Sequence, residues 1–381
     1  MTALVPRRAR KLASLAEALL TPHGMDRYLE LIDPMLVRRE IRGSVTEARR
    51  QTADTVTLTI RPSRAWRGFT AGQYVRVTVD IDGVRRTRCY SPACSQHNQD
   101  GSLELTIKAD PNGLVSRHLF RTAARGTVIG LSQPDGGFTM PSPRPERILL
   151  VSGGSGITPV LSMLRTLVDE RHQGPISFLH YANTADDVLY RRELADLQRR
   201  HPGLDVVFGY TASSSESSSD SSSGSSSKNE GTDVHGFFTR EHLTEAAPWY
   251  RDAQTFLCGP KPLMDSVRAL FGTEGLSEQL HTEEFTPPAL TFDSPETAEG
   301  NVRFAHSGKE VANSGKPLLE QAEDAGLSPE HGCRMGICFS CTKVKTSGCV
   351  RNAKSGELSD EENEEIQLCI SVPVGDVEIN A

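Results

Sequence analysis

Four cysteines near the end of the chain carry the most specific chemistry. Cys333, Cys338 and Cys341 follow a C-x4-C-x2-C spacing, and Cys369 supplies a distant fourth thiolate. This is the spacing of plant-type [2Fe–2S] sites, in which each tetrahedral iron needs two protein sulfurs besides the bridging sulfides. Gly332 and Gly336 let such a loop wrap closely, so that backbone N–H groups face sulfur, and Arg334 lies within it. A zinc site and scattered buried thiols are the alternatives, but zinc sites usually show C-x2-C pairs in both halves, and that pattern is missing here. Cys349 falls outside the spacing and reads as a bystander.

Three earlier groups of residues suit organic redox cofactors. Arg88, Tyr90 and Ser91 form an R-x-Y-S element downstream of Gly72-Gln73-Tyr74. An arginine neutralises a pyrophosphate, an aromatic ring stacks on an isoalloxazine, and a hydroxyl bonds its N5/O4 edge. Gly113-Leu114-Val115-Ser116 follows, with a glycine that permits close backbone approach and a serine placed to open a helix against a diphosphate. The plainer reading is an arginine and a tyrosine at a barrel rim. Gly153-Gly154-Ser155-Gly156-Ile157-Thr158-Pro159 lies between an apolar run and a helical segment, where missing side chains let backbone N–H groups meet a pyrophosphate. Cys258-Gly259-Pro260, closed by Leu263-Met264, follows another strand candidate, and its cysteine reads either as inert packing or as part of a hydride site.

These residues resemble known families. The segment 331–341 is similar to the cluster loop of plant-type ferredoxins, and the likeness extends over about 301–381. In that family, acids placed like Asp360, Glu361, Glu362, Glu364 and Glu365 dock redox partners, although a charge run is usually only a solvated face. Residues 42–285 resemble ferredoxin-NADP reductase-like flavoproteins. That resemblance implies Arg88 at phosphate, Tyr90 and Ser91 at the flavin ring, Val115 and Ser116 with Gly113 at the diphosphate, and FAD in preference to FMN. It sets Gly153, Gly154, Gly156, Ile157 and Thr158 in the family's G-x-G-I-x-P turn, and Cys258, Gly259 and Pro260 in its C-G-P element beside the nicotinamide. Within His281-Thr282-Glu283-Glu284-Phe285, Glu283 and Phe285 match the E-x-F strand that approaches the flavin edge, with Glu284 an adjacent competitor. Cys258, Glu283 and Ser91 are thus the expected catalytic residues. The family often places an arginine for the 2′-phosphate of NADPH near 181–184, where this chain has Asn183, leaving Arg191 or Arg192 to take its place. NADPH is favoured over NADH. The implied activity is electron transfer from NAD(P)H through flavin to the cluster, because a hydride carries two electrons and the cluster accepts one at a time.

The elements that must position these residues divide the 381-residue chain, which is longer than one core usually serves. Residues 1–41 read as a helical extension, with Leu12, Leu15, Leu19, Tyr28, Leu31 and Ile32 at helical spacing. Its basic surplus suits peripheral contact with a membrane surface or an acidic partner; packing on the next domain is the blander reading. Residues 42–143 alternate with period two, as in Val56, Leu58 and Ile60, with an Asp82-Gly83 hairpin turn, and predict an antiparallel β-barrel for the flavin. Residues 144–288 predict an α/β parallel sheet, with strands at 148–151, 176–181, 206–210 and 255–258 and helices at 159–169, 186–199 and 262–270. Within it, 213–227 is almost pure serine and reads as a disordered insertion. Residues 289–301 read as a linker, and 302–381 as an α+β β-grasp ferredoxin domain.

Composition closes off other classes. Hydrophobic residues make up 37% and charged residues 24%, as in an ordinary soluble protein, and a net charge of −7 argues against nucleic-acid binding. The 13 acidic and 8 basic side chains of 302–381 put most of that charge in the last domain. The apolar stretch 12–20 is short and interrupted by Glu17, so neither a transmembrane segment nor a secretory signal is expected and the chain reads as cytoplasmic. The whole-chain order is similar to actinobacterial oxidoreductases that feed a membrane-bound stearoyl-CoA Δ9 desaturase, which makes a fatty-acid desaturase the leading acceptor. Related three-domain reductases serve Rieske dioxygenases, di-iron monooxygenases and cytochromes P450. A redox-sensing interaction module without turnover is the non-enzymatic alternative, and the intact flavin and nicotinamide motifs count against it.

Overall fold

The computed structural model describes residues 33, 35, 40–111, 113–212, 233–285, 298–331, 334, 336 and 339–381, arranged as three successive sheets. Of the expected helical lead only residues 33, 35, 40 and 41 are described, and Ile41 already belongs to a strand. The serine-rich insertion and most of the linker also lie outside the described residues.

The first sheet contains β1 (Ile41–Thr52), β2 (Thr55–Pro62), β3 (Val75–Ile81), β4 (Val84–Tyr90), β5 (Leu103–Lys108) and β6 (Val128–Leu131), with helix α1 (Leu114–Thr122) between the last two. Its order is β4-β3-β6-β1-β2-β5, and every pair is antiparallel. Asp82 and Gly83 take φ of +53° and +77°, the left-handed pair that a two-residue hairpin turn requires. Beyond β4 the chain bends onto the far edge, where Pro92 bridges Leu105 and the Ala93 N–H donates to the Glu104 carbonyl at 2.8 Å. The sheet thus curls into the expected antiparallel barrel, here a half-barrel, around Leu58, Ile60, Val75, Val77 and Leu105. The period-two pattern of β2 is only half expressed, because Thr55 and Thr57 are buried as well. The next domain covers that outer face, and Thr57 Oγ1 lies 3.4 Å from the Tyr190 hydroxyl.

The second sheet contains β7 (Ile148–Gly153), β8 (Ile176–Ala182), β9 (Leu204–Tyr210), β10 (Val234–His235), β11 (Gln254–Cys258) and β12 (Leu280–Glu283), with helices α2 (Ile157–Asp169), α3 (Arg191–Arg200), α4 (Arg240–Ala246) and α5 (Lys261–Thr273). It is wholly parallel, in the order β10-β9-β8-β7-β11-β12. Every residue of β7 and β8 is buried, which is why β7 reads as a continuous apolar run rather than an alternation. The helix expected at 186–199 begins later, at Arg191. Thr184 and Asp187 close a capping box around a short 3-10 turn, and Tyr190 then takes a left-handed φ of +59°, so the chain cannot enter the helix earlier.

The third sheet contains β13 (Asn301–Phe304), β14 (Lys309–Ala312), β15 (Thr342–Asn352), β16 (Leu358–Ser359), β17 (Glu364–Gln367) and β18 (Ser371–Ile379), with α6 (Leu318–Asp324) after β14. The order β14-β13-β18-β15-β16 is mixed: β13 and β18 run parallel, the other pairs antiparallel, and β17 adds to β15. Leu318, Leu319 and Ala322 of α6 share a core with Val302, Phe304 and Leu368, giving the α+β unit expected from the sequence. Among the described residues, no helix is long and apolar enough to cross a membrane.

Candidate functional site

Sheet order decides where a nucleotide can lie. From β7 the chain builds β8, β9 and β10 on one side and β11 and β12 on the other, so a crevice opens at the carboxyl ends of the strands. The 153–156 turn follows β7, and Cys258-Gly259-Pro260 ends β11 beside it. The two turns pack backbone to backbone: a Cβ on Gly156 would stand 2.3 Å from the Cys258 carbonyl oxygen, and one on Gly153 would stand 2.8 Å from Pro260. A cleft of about 670 Å³ opens here, lined by Phe237 beyond β10, Thr211 beyond β9, Asn183 after β8, Gly153 and Gly154, then Gly259, Pro260 and Phe285. That volume fits a nicotinamide dinucleotide, and the start of α2 supplies backbone N–H groups to a pyrophosphate. Ile157 and Thr158 are buried and do not line the cleft. Arg191 is turned away toward Asp233, at 3.6 Å, and over the Phe208 ring; neither it nor Arg192 lines the cleft, where the cationic side chain among the described residues is Lys108.

Register aligns the ends of β7, β11 and β12. Cys258 is the β-partner of Ser152 on one side and of Glu283 on the other, so the three strand ends form one row. Cys258 is fully buried, and burial together with the Glu283 and Glu284 charges pushes its thiol well up, leaving it neutral. Burial also pushes the Glu283 carboxyl up to about 7, against the opposing charge of Lys354. Glu284 is separated from its neighbour by an ion pair with Arg268 at 2.5 Å. Phe285 is 37% exposed at the cleft rim.

On the barrel, β4 delivers Arg88 and Tyr90 and leads directly into Ser91. The Arg88 guanidinium donates to the Thr87 carbonyl at 2.8 Å. Burial pushes the Tyr90 phenol up, so it stays neutral. Ser91 is 2% exposed, and its hydroxyl has no hydrogen-bond partner within the protein. An orphaned buried hydroxyl beside an aromatic ring fits a flavin edge, because a ligand atom there would satisfy it. Ser116 does not open the helix as expected: Gly113 is the N-cap, and the Ser116 hydroxyl turns back to donate to the Gly113 carbonyl at 3.4 Å and accept from the Asp110 N–H at 3.2 Å. A Cβ on Gly113 would stand 2.3 Å from that hydroxyl, so a larger residue there would turn it away. Val115 is buried in the barrel core, so only its backbone can face a diphosphate.

In the third domain Cys341 and Cys369 are buried and adjacent, with the Leu368 N–H donating to the Cys341 carbonyl at 3.2 Å. The Gly336 N–H points at Cys369 Sγ at 3.3 Å, the backbone-to-sulfur contact a cluster cradle needs. Gly336 has a φ of +68°, and a Cβ there would stand 2.5 Å from Ile370. Cys333 and Cys338 lie outside the described residues, and Cys349 sits along β15 away from the loop. His331 is lowered mainly by burial, with the Arg86 charge on β4 acting in the same direction, while Lys354 in the β15–β16 turn faces Glu283. Neither Lys354 nor Phe237 carries a spacing signal in the sequence; only the tertiary arrangement brings them to the site.

Comparison with known proteins agrees with this geometry. The oxidoreductase FAD-binding domain family matches residues 42–140, the oxidoreductase NAD-binding domain family residues 150–269, and the 2Fe-2S iron-sulfur cluster binding domain family residues 303–374. The chain is 36% identical over 369 residues to an NADPH oxidoreductase of Mycobacterium tuberculosis, covering 96% of this chain and 90% of that protein. It is 30% identical over 331 residues to the glycine betaine monooxygenase reductase subunit of Pseudomonas aeruginosa, covering 82% and 87%. Its fold is similar to that of phthalate dioxygenase reductase, with a TM-score of 0.56 at 21% identity over 89% of this chain and 97% of that one. The chain belongs to the family of ferredoxin-reductase-type flavoproteins fused to a [2Fe–2S] domain. It is an oxidoreductase that carries electrons from NAD(P)H through FAD to the [2Fe–2S] cluster.

Proposed function

We propose that this chain is the reductase of an oxygen-activating system, passing electrons from its cluster domain to a separate iron enzyme, with a membrane-bound fatty-acid desaturase as the leading acceptor. The observation that carries the reading is the exit surface of the third domain. Phe339, 57% exposed between two cluster cysteines, and Leu358, 62% exposed, flank a groove lined by Asp360, Glu361, Glu364 and Glu365. An apolar contact ringed by acids suits a basic protein surface, whose approach the charge accelerates. The desaturase rests on the whole-chain resemblance. A monooxygenase or Rieske-type oxygenase is the second reading, favoured by the likeness to a glycine betaine monooxygenase reductase subunit.

Bound FAD supplies the exchange between a two-electron hydride and the one-electron chemistry of the cluster. The protein's own residues bind, orient and exclude water. Tyr90 offers an aromatic face and Ser91 a hydroxyl to the ring edge, Arg88 neutralises phosphate, and the backbone at 113–116 meets the diphosphate. The 153–156 turn and Gly259-Pro260 hold the dinucleotide, with the neutral Cys258 thiol buried behind the cleft wall and not lining it. Glu283, its carboxyl pushed up to about 7, holds a proton on its carboxyl oxygen below that pH, next to Cys258. Mixing the purified chain and NADPH or NADH with desaturase, Rieske oxygenase, di-iron monooxygenase and P450 acceptors tests the assignment. Desaturase reduction at the highest kcat/KM supports it, and turnover confined to another class replaces it.

A further inference from the structure

The barrel and the nucleotide domain meet through an apolar core and one polar cluster. Ala71, Ala93, Phe138 and Met140 of the barrel side share a continuous core with Ile157 and Leu161 of α2. Such contacts hold two domains together but specify their relative position poorly, because apolar surfaces tolerate sliding by a fraction of an ångström. The polar cluster is more exacting. Arg165 of α2 is 14% exposed in its side chain, and its guanidinium is fully engaged across the interface. It donates to the Ala93 carbonyl and to Glu104 Oε1, both at 2.7 Å, on the barrel side. On the nucleotide side it makes a bidentate pair with Glu193, at 2.7 Å for each bond. The Tyr190 hydroxyl, from the nucleotide domain, donates to the same Glu104 oxygen at 3.0 Å.

The positions of these partners along the chain give the cluster its meaning. Ala93 lies two residues beyond Ser91, on the segment that leaves the flavin-ring strand. Arg165 lies on the helix that starts at the 153–156 turn. A second contact one turn earlier repeats the link, as the Ser162 hydroxyl donates to the Cys94 carbonyl at 2.7 Å. The planar fork of an arginine fixes direction as well as distance, which a lysine cannot do. We propose that Arg165 is a positioning residue for hydride transfer: it locks the Tyr90–Ser91 segment to the nucleotide helix, and thereby sets the spacing of flavin ring and nicotinamide. The role rests on the placements of flavin and coenzyme proposed above. Alignment of reacting atoms is sensitive enough that a shift of about 1 Å costs up to about a hundredfold in rate.

The test uses the full-length, cofactor-loaded chain with Arg165→Lys and Glu193→Gln. Lys keeps the charge without the fork, and Gln leaves the guanidinium paired with Glu104, so each variant removes only part of the cluster. Flavin content and coenzyme KM report on the underlying placements and should stay within about twofold of the parent, while flavin bleaching at saturating coenzyme slows about tenfold in Arg165→Lys and less in Glu193→Gln. The long-wavelength charge-transfer absorbance of the coenzyme–flavin pair should weaken in parallel, and amides 93–97 should exchange hydrogen faster. Parental bleaching rates and charge-transfer absorbance in both flavin-loaded variants would overturn the role. So would a uniform loss of flavin with unchanged bleaching in the fraction still loaded, since Arg165 would then act only on stability.

Discussion

Glu283 and Cys258 stand side by side at adjacent strand ends, and burial acts on both in the same direction. For the thiol this removes charge from the pH range of turnover. For the carboxyl it moves the proton into that range, at about 7. Below that value Glu283 carries a proton; above it, it is a buried negative charge, which in the placement proposed above would stand beside the nicotinamide. Flavin bleaching by NAD(P)H is therefore expected to fall as pH rises through about 7, and Glu283→Gln is expected to flatten the profile. A profile with the same inflection in Glu283→Gln would assign the proton elsewhere. The stability sign runs the same way: the folded pKa is raised from 4.5, so the carboxyl destabilises the fold increasingly from about 4.5 up to about 7, and Glu283→Gln should raise Tm at pH 8 but not at pH 4.

Elements meet at points that tolerate little change. The turns after β7 and β11 touch through Gly156, where a Cβ would stand 2.3 Å from a backbone oxygen that cannot swing aside. Gly156→Ala is expected to pry the turns apart and raise the coenzyme Kd about tenfold, equivalent to about 1.4 kcal/mol, with flavin retained. Equilibrium titration of the flavin-loaded variant with NADP+ measures it. At the other end of α2, Glu170 joins Arg144 at 2.8 Å and His97 at 2.9 Å, and the Arg144 hydrogen bond is the main cause holding its carboxyl down at about 2. A depressed carboxyl stabilises the fold above its unfolded value of 4.5 and loses that contribution as pH falls toward 2. Glu170→Gln should cost about 1 kcal/mol at pH 7, after discounting for solvent screening, and much less at pH 2, where the folded carboxyl is already half protonated. Urea unfolding at the two pH values checks this. In the third domain the fully buried Lys345 donates to the Gly348 carbonyl at 2.9 Å and to the Glu361 carbonyl, pinning the acidic loop to β15.

These element contacts also show what was legible in the sequence. Signals confined to one stretch of chain carried through: the cysteine spacing, the Asp82-Gly83 turn, the apolar run of β7 and the alternation of β3 were enough for three domains and their cofactors. Ser116 was read as a helix-opening serine because sequence cannot show which of two neighbouring residues caps the turn, and the N-cap is Gly113. The late start of α3 followed from a capping box whose geometry competes with the helix. Arg165, Lys345 and Lys354 were not found at all, since a single arginine or lysine gains its role only from partners far along the chain. Glu104 and Arg165, for instance, are 61 residues apart.

At the scale of the whole molecule, charges act between the third domain and the other two, Arg86 on His331 and Lys354 on Glu283. The third domain's acidic groove is on the exposed surface, where an acceptor can reach it. The placements proposed above, with coenzyme in the cleft after β7, flavin at the β4 end and the cluster in the third domain, fit the order of electron flow from NAD(P)H through FAD to the cluster. The most direct test follows electrons through the intact chain and through Cys338→Ser, with NADPH mixed anaerobically and a protein acceptor present. In the parent chain flavin should bleach first, the cluster absorbance should follow, and the acceptor should be reduced last. In Cys338→Ser, flavin bleaching should persist while acceptor reduction is almost abolished. Acceptor reduction at the parental rate in flavin-loaded protein without its cluster would mean that electrons leave directly from flavin, and would contradict the order proposed for the chain.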